Sequence, residues 1–204
     1  MILKGDGKVP ILTYNYNNTV TKKNCEYIID YCSSNYKMIE ARMGKDVDNS
    51  VINLKERKTE VSFIDGTTQR DKDIISMMQN FITEANDNFF NYDIEGFETV
   101  QFAKYESGGH YNWHQDYFEE MIKKEYPRCR KLSATLTLSE YNESGGHLEL
   151  FDGRNEGRTK EDIKQMNTIG TAVVFDSREW HRVTPIKNGV RYSLVCWSQG
   201  PHFR

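Results

Sequence analysis

From Leu132 to Leu138 the chain alternates, with Ala134, Leu136 and Leu138 at every second position and Ser133, Thr135 and Thr137 between them. Successive side chains of a β-strand point to opposite faces, so this strand has one apolar side and one hydroxylated side. Such a strand fits a sheet with helices over its apolar face and a polar, enclosed interior on the other. Two amphipathic helix patterns precede it. Cys25, Ile28, Ile29 and Cys32 follow Val20-Thr21, with Thr21 placed as N-cap. Ile74, Met77, Met78, Phe81, Ile82 and Ala85 form a helical stripe within Gln69–Phe90. Its Met and Phe residues read as core rather than as cofactor contacts.

The remaining elements are shorter. Residues 1–19 read as an extended entry. Thr59–Ile64 alternates as a strand and ends at Asp65-Gly66. After Gly96, short strands are separated by turns: Phe97–Tyr105, His147–Phe151 and the apolar run Thr171–Phe175. Lys187-Asn188-Gly189 is a hairpin signal that joins Arg182–Ile186 to Val190–Trp197. Met43–Glu56 is polar and aperiodic, either a plain connection or a lid over a site. Arg154–Asn167 is charged, a loop or a short exposed helical turn. Short antiparallel strands after two helices predict a small barrel or a double-sheet jelly roll, whose strand ends surround an open mouth.

A length of 204 residues suits one domain, with helical support over about 20–90 and a β core over about 97–200. A formal charge of −3 provides no basic balance for nucleic acid. The basic run Lys123–Lys131 reads as a solvated face, Arg130 excepted. The four cysteines show no CxxC spacing, which predicts free thiols in a reducing compartment. The opening residues lack a signal-peptide apolar core, and no apolar run approaches the ~18 residues of a membrane span. The expectation is a cytoplasmic protein with no membrane partner.

His114 and Asp116 stand two apart in Tyr105–Asp116, which also holds Gly108-Gly109. An imidazole and a carboxylate so spaced can meet one small ion. His181, beyond the apolar Thr171–Phe175 run, is the candidate third ligand. Two histidines and one carboxylate on one face leave positions open for a cosubstrate and oxygen, the pattern of non-haem Fe(II) sites. Arg191 follows His181 by ten residues, on a strand face shared with Ser193, Val195 and Trp197. Its guanidinium suits bidentate capture of a carboxylate. His110 reads as a turn residue, His147 as structural, and His202 lies in the tail.

These residues resemble the prolyl 4-hydroxylase-like Fe(II)/2-oxoglutarate dioxygenases, and the C-terminal half resembles the PKHD-type hydroxylases among them. The resemblance runs through His114–Asp116, Arg130–Ser139, Ser144–Glu149, Gly170–Asp176, His181–Pro185 and Gly189–Ser193. The N-terminal half agrees in its order of elements and in Arg57–Ser62. The resemblance implies a double-stranded β-helix (jelly-roll) core with N-terminal helices packed outside one sheet. It implies His114, Asp116 and His181 as metal ligands, and Fe(II), 2-oxoglutarate and O2 as cofactor and cosubstrates, with ascorbate as reductant. Arg191 then takes the far carboxylate of 2-oxoglutarate, helped by Thr137, with Tyr105 nearer the metal. Tyr111, Arg130 and Trp197 fall at substrate positions, and the implied substrate is a proline in a peptide or protein. Thr137 stands where some members have tyrosine, and Arg191 where collagen-type members have lysine; both bear on the substrate.

Three other readings stay open at this point. A lysyl residue or a free small molecule suits the same chemistry. An alkylated base calls for a second arginine six residues after Arg191, where Trp197 stands. A noncatalytic binding module on the same fold is opposed by the intact ligand set.

Overall fold

The computed structural model describes residues 13–41, 53–118, 126–151 and 160–203. In chain order the elements are β1 (Thr13–Tyr16), α1 (Lys22–Asn35), β2 (Ile39–Glu40), β3 (Arg57–Lys58), β4 (Glu60–Phe63) and α2 (Gln69–Ala85). There follow β5 (Gly96–Phe97), β6 (Gln101–Tyr105), β7 (His110–His114), β8 (Cys129–Thr137) and β9 (Leu148–Leu150). The last are α3 (Lys160–Met166), β10 (Ala172–Asp176), β11 (His181–Val183) and β12 (Arg191–Gly200).

The helices start where their caps say. The Thr21 side chain accepts from the Asn24 N–H at 3.3 Å. Thr68 and Asp71 form a reciprocal capping box at the head of α2, which satisfies two otherwise orphaned N–H groups. The hydroxyls of Tyr31 and Tyr36 donate to the same Asp71 at 2.9 and 2.5 Å, which ties α1 and its exit to α2. The helical pattern to Phe90 has two parts, because Asn86–Phe90 is a π-helical turn. Asn86 closes it by accepting from Tyr92 N–H at 2.8 Å and donating to the Tyr92 carbonyl at 3.0 Å.

The strands form two antiparallel sheets. The major sheet runs β1-β10-β8-β12-β6-β4-β2, with β5 also on β12; the minor sheet runs β3-β7-β11-β9. From β7 onward the chain alternates minor, major, minor, major to the end, which is the winding of a double-stranded β-helix. The sheets draw on more of the chain than the β core expected over 97–200, since β1 to β4 precede it.

The two faces of β8 separate as its alternation requires. Leu132, Ala134, Leu136 and Leu138 share one buried cluster with Cys25, Ile28, Cys32, Ile74, Met78 and Ile82 of the helices. Each fully buried Leu or Ile there contributes about 1.5–3 kcal/mol. Between the sheets lie two smaller clusters, one around Val61, Ala103, Tyr105, Val183 and Ile186 and one around Leu148, Leu150, Val173 and Phe175. The inward hydroxyls of β8 lie between the same sheets.

Two expectations change. The strand expected over Phe97–Tyr105 is interrupted at 98–100, where Glu98 N–H bonds the Trp197 carbonyl and the Val100 carbonyl takes Ile64 N–H. The turn Lys187-Asn188-Gly189 is present, with Gly189 at φ +91°, but it is not a hairpin. Both edges of β11 are already taken, by β7 and β9, so β12 crosses to the major sheet. Asn142 and Ser144 pin the turn instead, donating to the Asn188 carbonyl at 2.5 and 3.0 Å. The possible lid Met43–Glu56 lies mostly at 43–52, outside the described residues; of Arg154–Asn167, 154–159 lie outside them and most of the remainder is α3.

Gly170 marks where the helical layer meets the major sheet. It has φ +77°, and an added Cβ would stand 1.9 Å from the Val20 carbonyl oxygen. Gly170 N–H bonds Thr137 O at 2.8 Å while its carbonyl takes Val20 N–H at 3.1 Å. Gly170→Ala is therefore expected to lower unfolding stability by about 2–4 kcal/mol through backbone strain and displacement of the start of α1. Urea denaturation checks this, and an unmoved midpoint contradicts it.

Candidate metal and cosubstrate site

His114 closes β7 and His181 opens β11, and the two are opposite each other in the antiparallel register. Their ring centroids lie 4.1 Å apart. Asp116 arrives by a bend past the end of β7 rather than by strand alternation. Its carboxylate faces both rings, with Oδ1 at 3.8 Å from His114 Nε2 and Oδ2 at 3.5 Å from His181 Nε2. One donor atom from each of the three residues falls within 4.8 Å of the others.

Backbone carbonyls set the tautomers. His114 Nδ1 lies 2.7 Å from the Asn112 carbonyl and His181 Nδ1 lies 3.0 Å from the Glu179 carbonyl. A carbonyl only accepts, so each Nδ1 carries a proton, and each Nε2 is the ring nitrogen turned toward Asp116. Burial, with His181 alongside, pushes His114 from 6.5 down to about 3. Burial works to raise Asp116, but His181, His114, Arg130 and the Ser133 hydroxyl outweigh it and hold the carboxyl well below its ordinary range. At neutral pH the cluster is thus a carboxylate and a neutral imidazole beside His181, all oriented by the fold. That donor set fits a divalent ion and leaves one side of it open.

These residues line a cavity of about 980 Å³ between the sheets, together with Tyr105, Tyr111, Arg130, Arg191 and Trp197. Arg191 stands opposite Tyr105 in the β12–β6 register, its guanidinium carbon 5.6 Å from the Tyr105 ring. It is 5% exposed, and Nη1 donates to Ser193 Oγ at 2.8 Å. Its Nε and Nη2 are buried with no hydrogen-bond partner among the described residues. A buried guanidinium with two nitrogens unbonded is costly, and an anionic group removes that cost. Thr137 Oγ1 likewise has no partner among the described residues. Thr137 does not line the large cavity; it lines a water-sized pocket of about 10 Å³ that Arg191 also borders.

The expected substrate residues are unequally placed. Tyr111 stacks on His114 with centroids 3.4 Å apart and planes 14° apart, and Arg57 lies 4.6 Å from its ring. Burial pushes the Tyr111 phenol up to about 12. Trp197 is buried, and its Nε1 has no hydrogen-bond partner among the described residues. Arg130 lies 4.1 Å over the Trp197 ring, and its fork is engaged by Glu98 at 2.7 and 2.5 Å. Gln199 also donates to Glu98, at 3.0 Å. Arg130 thus meets the cavity as half of an ion pair, where a peptide-holding side chain was expected. His110, His147 and His202 each have a ring nitrogen against a backbone carbonyl, of Gly108, Asn142 and Tyr126 respectively.

Sequence reasoning passed over Glu98, Arg57, Ser133 and Ser177. The inward face of β8 pointed to Ser133. Nothing local links Glu98 to Arg130, thirty-two residues away.

Residues 100–199 match the sequence profile of the 2OG-Fe(II) oxygenase superfamily. A PKHD-type hydroxylase of Pseudomonas putida (strain W619) is 32% identical over 97 residues, covering 47% of this chain and 40% of that protein. The chain thus spans less than half the length of this curated relative. Among solved structures, a Pseudomonas putida prolyl-4-hydroxylase superposes with TM-score 0.69 at 21% identity, covering 92% of both chains. A Trichoplax adhaerens prolyl hydroxylase, in complex with a peptide fragment of the hypoxia inducible factor oxygen degradation domain, gives 0.66 at 22% identity over 91% of this chain and 82% of that one. At these identities the structural likeness establishes the double-stranded β-helix fold.

Proposed function

We propose a function that starts from one premise: through residues 100–199 the chain belongs to the 2OG-Fe(II) oxygenase superfamily. It is a single-domain, Fe(II)- and 2-oxoglutarate-dependent dioxygenase that hydroxylates an unactivated C–H, with a prolyl residue of a peptide or protein as its target. The observation that carries this reading is the pairing of the His114, Asp116 and His181 cluster with Arg191, whose Nε and Nη2 have no hydrogen-bond partner among the described residues, in one cavity. When bound, Fe(II) with 2-oxoglutarate and O2 supplies the oxidant, and the organic products are succinate, CO2 and the hydroxylated substrate.

The chain's own residues do the rest. His114, Asp116 and His181 present three lone pairs to one point and leave the opposite side open. Arg191 receives the far carboxylate of 2-oxoglutarate through Nε and Nη2, while Ser193 steadies Nη1. Tyr105, across the ladder from Arg191, flanks the cosubstrate. Tyr111 and Trp197 offer rigid apolar walls at little entropy cost, a fitting seat for a pyrrolidine ring. The Trp197 N–H is free to meet a substrate carbonyl. Glu98 and Arg130 brace Trp197 from above its face. A prolyl target is supported by the prolyl hydroxylases that share the fold, one of them with a peptide. Ascorbate, as reductant, belongs to the reading on the resemblance alone. Four unpaired, buried cysteines accord with a cytoplasmic setting, and no helix among the described residues is long and apolar enough to cross a membrane.

The test is incubation of proline-containing peptide libraries with the protein, Fe(II) and 2-oxoglutarate, read by mass spectrometry for a gain of one oxygen. Trp197→Ala is expected to lower peptide turnover by about tenfold or more, the scale of a buried aromatic anchor, with 2-oxoglutarate affinity retained. Tyr111→Phe keeps the stacked ring and is expected to cost less. If no proline is oxidised while 2-oxoglutarate is consumed, the prolyl reading fails and the cofactor reading stands.

A further inference from the structure

The two oxygens of Asp116 lie in unlike surroundings. Oδ2 accepts the Ser133 hydroxyl at 2.7 Å, and Ser133 Oγ lies 3.0 Å from Ser177 Oγ. Both serines are fully buried and Asp116 is 7% exposed. Oδ2 also faces His181 Nε2 at 3.5 Å. Oδ1 has no hydrogen bond among the described residues; His114 Nε2 and Arg130 Nη1 approach it only to 3.8 and 3.9 Å.

A hydroxyl has one proton to give. Ser133 gives its proton to the carboxylate, so in the serine pair Ser177 donates and Ser133 accepts. The order Ser177 to Ser133 to Asp116 is a directed chain, and each bond polarises the next in a dry interior. Ser177 is itself anchored: its N–H bonds the Lys131 carbonyl at 3.0 Å and its carbonyl takes Tyr117 N–H at 2.9 Å. Tyr117 directly follows Asp116 and Lys131 lies two before Ser133, so the backbone fixes both ends of the chain.

We propose that Ser133 and Ser177 are positioning residues that confine Asp116 to one-oxygen ligation, with Oδ1 turned to the metal and Oδ2 kept on the hydroxyl. The inference rests on the metal site read above. Its chemical consequence lies in the count of open positions. Three single-atom donors leave half of an octahedron free. A two-oxygen carboxylate closes one of those positions, and a chelating oxo acid and O2 then compete for what is left.

The experiment uses the full chain stripped of metal and reloaded with Co(II) or, without oxygen, Fe(II). The variants are Ser133→Ala, Ser133→Thr and Ser177→Ala. Infrared difference spectra on metal addition read the splitting of the carboxylate stretches, which separates one-oxygen from two-oxygen ligation and needs no cosubstrate. Ser133→Ala is expected to narrow that splitting and to weaken 2-oxoglutarate binding to the metal-loaded protein by about 10–100-fold, the usual scale for an outer hydrogen bond to a ligand. Ser133→Thr keeps the hydroxyl and is expected to restore both. Ser177→Ala, one step removed, is expected to shift both in the same direction and by less; it carries the test should Ser133→Ala not fold. A wild-type splitting in Ser133→Ala, or in Ser177→Ala if only that variant folds, overturns the inference. A wild-type protein that takes metal but never 2-oxoglutarate overturns the cosubstrate reading instead, and the infrared result still decides the role of the serines.

Discussion

Asp116→Ala is expected to leave a folded chain that no longer retains a divalent metal. Asp116 is the one anion in the cluster, and it lies against both imidazoles, at 3.8 and 3.5 Å. Without it, two imidazole rings with centroids 4.1 Å apart remain. Removing one member of a buried charged set costs about 3–5 kcal/mol, so metal affinity is expected to fall by about two to four orders of magnitude. The fold has less to lose, because the apolar clusters that join the layers do not include this residue. Calorimetric titration of the metal-free variant with Co(II) or Fe(II) is the measurement. Affinity within about tenfold of wild type would sink the ligand assignment.

Arg191→Ala has the second largest expected effect, and it acts on the cosubstrate alone. The wild-type guanidinium is 5% exposed and has two nitrogens without a partner among the described residues, so it is poised for an anion and carries a standing desolvation cost. Truncating one partner of a buried, hydrogen-bonded charge pair costs about 2–5 kcal/mol. The 2-oxoglutarate requirement should therefore rise by well over tenfold, with iron affinity unchanged. Stability in the absence of cosubstrate should hold or rise, because a buried cation without a counter-ion has been removed. A cosubstrate titration that matches wild type places the anion elsewhere in the cavity. Arg191→Lys keeps the charge without the fork and should fall between the two.

The parts of this architecture that local chemistry dictates were legible in the chain. Thr21 announces α1 by its side-chain oxygen, and the Leu132–Leu138 alternation announces a two-faced sheet, because strand geometry has a period of two. His114, Asp116 and His181 were legible as a set because few uses exist for two histidines and a carboxylate around an apolar strand. Partner choice was not legible. The tight turn at Lys187–Gly189 shows that the chain reverses, but which sheet receives β12 depends on edges already occupied by β7 and β9. The same holds for Arg130. Its guanidinium is as available to Glu98 as to a peptide until the tertiary fold brings Glu98 within 2.7 Å. Thr137 was a cosubstrate contact by resemblance; in the structure it lines a small pocket that Arg191 also borders, beside the larger cavity.

β12 also acts as a ruler. It carries Arg191 at its start and Trp197 six residues on, and it is hydrogen-bonded to β6 on one side and β8 on the other. Its apolar face, Leu194 and Cys196, is buried in the helix-backed cluster, so the strand has no freedom to slide. The span from carboxylate anchor to indole wall is therefore set by backbone rise, at most about 20 Å at ~3.3 Å per residue. Side chains can retune what binds at either end, but the separation of the two ends is written into the ladder. Changing the combined length of oxo acid and substrate that the cavity accepts would require inserting or deleting residues in β12 in steps of two, since a single-residue change turns every inward side chain of the strand outward.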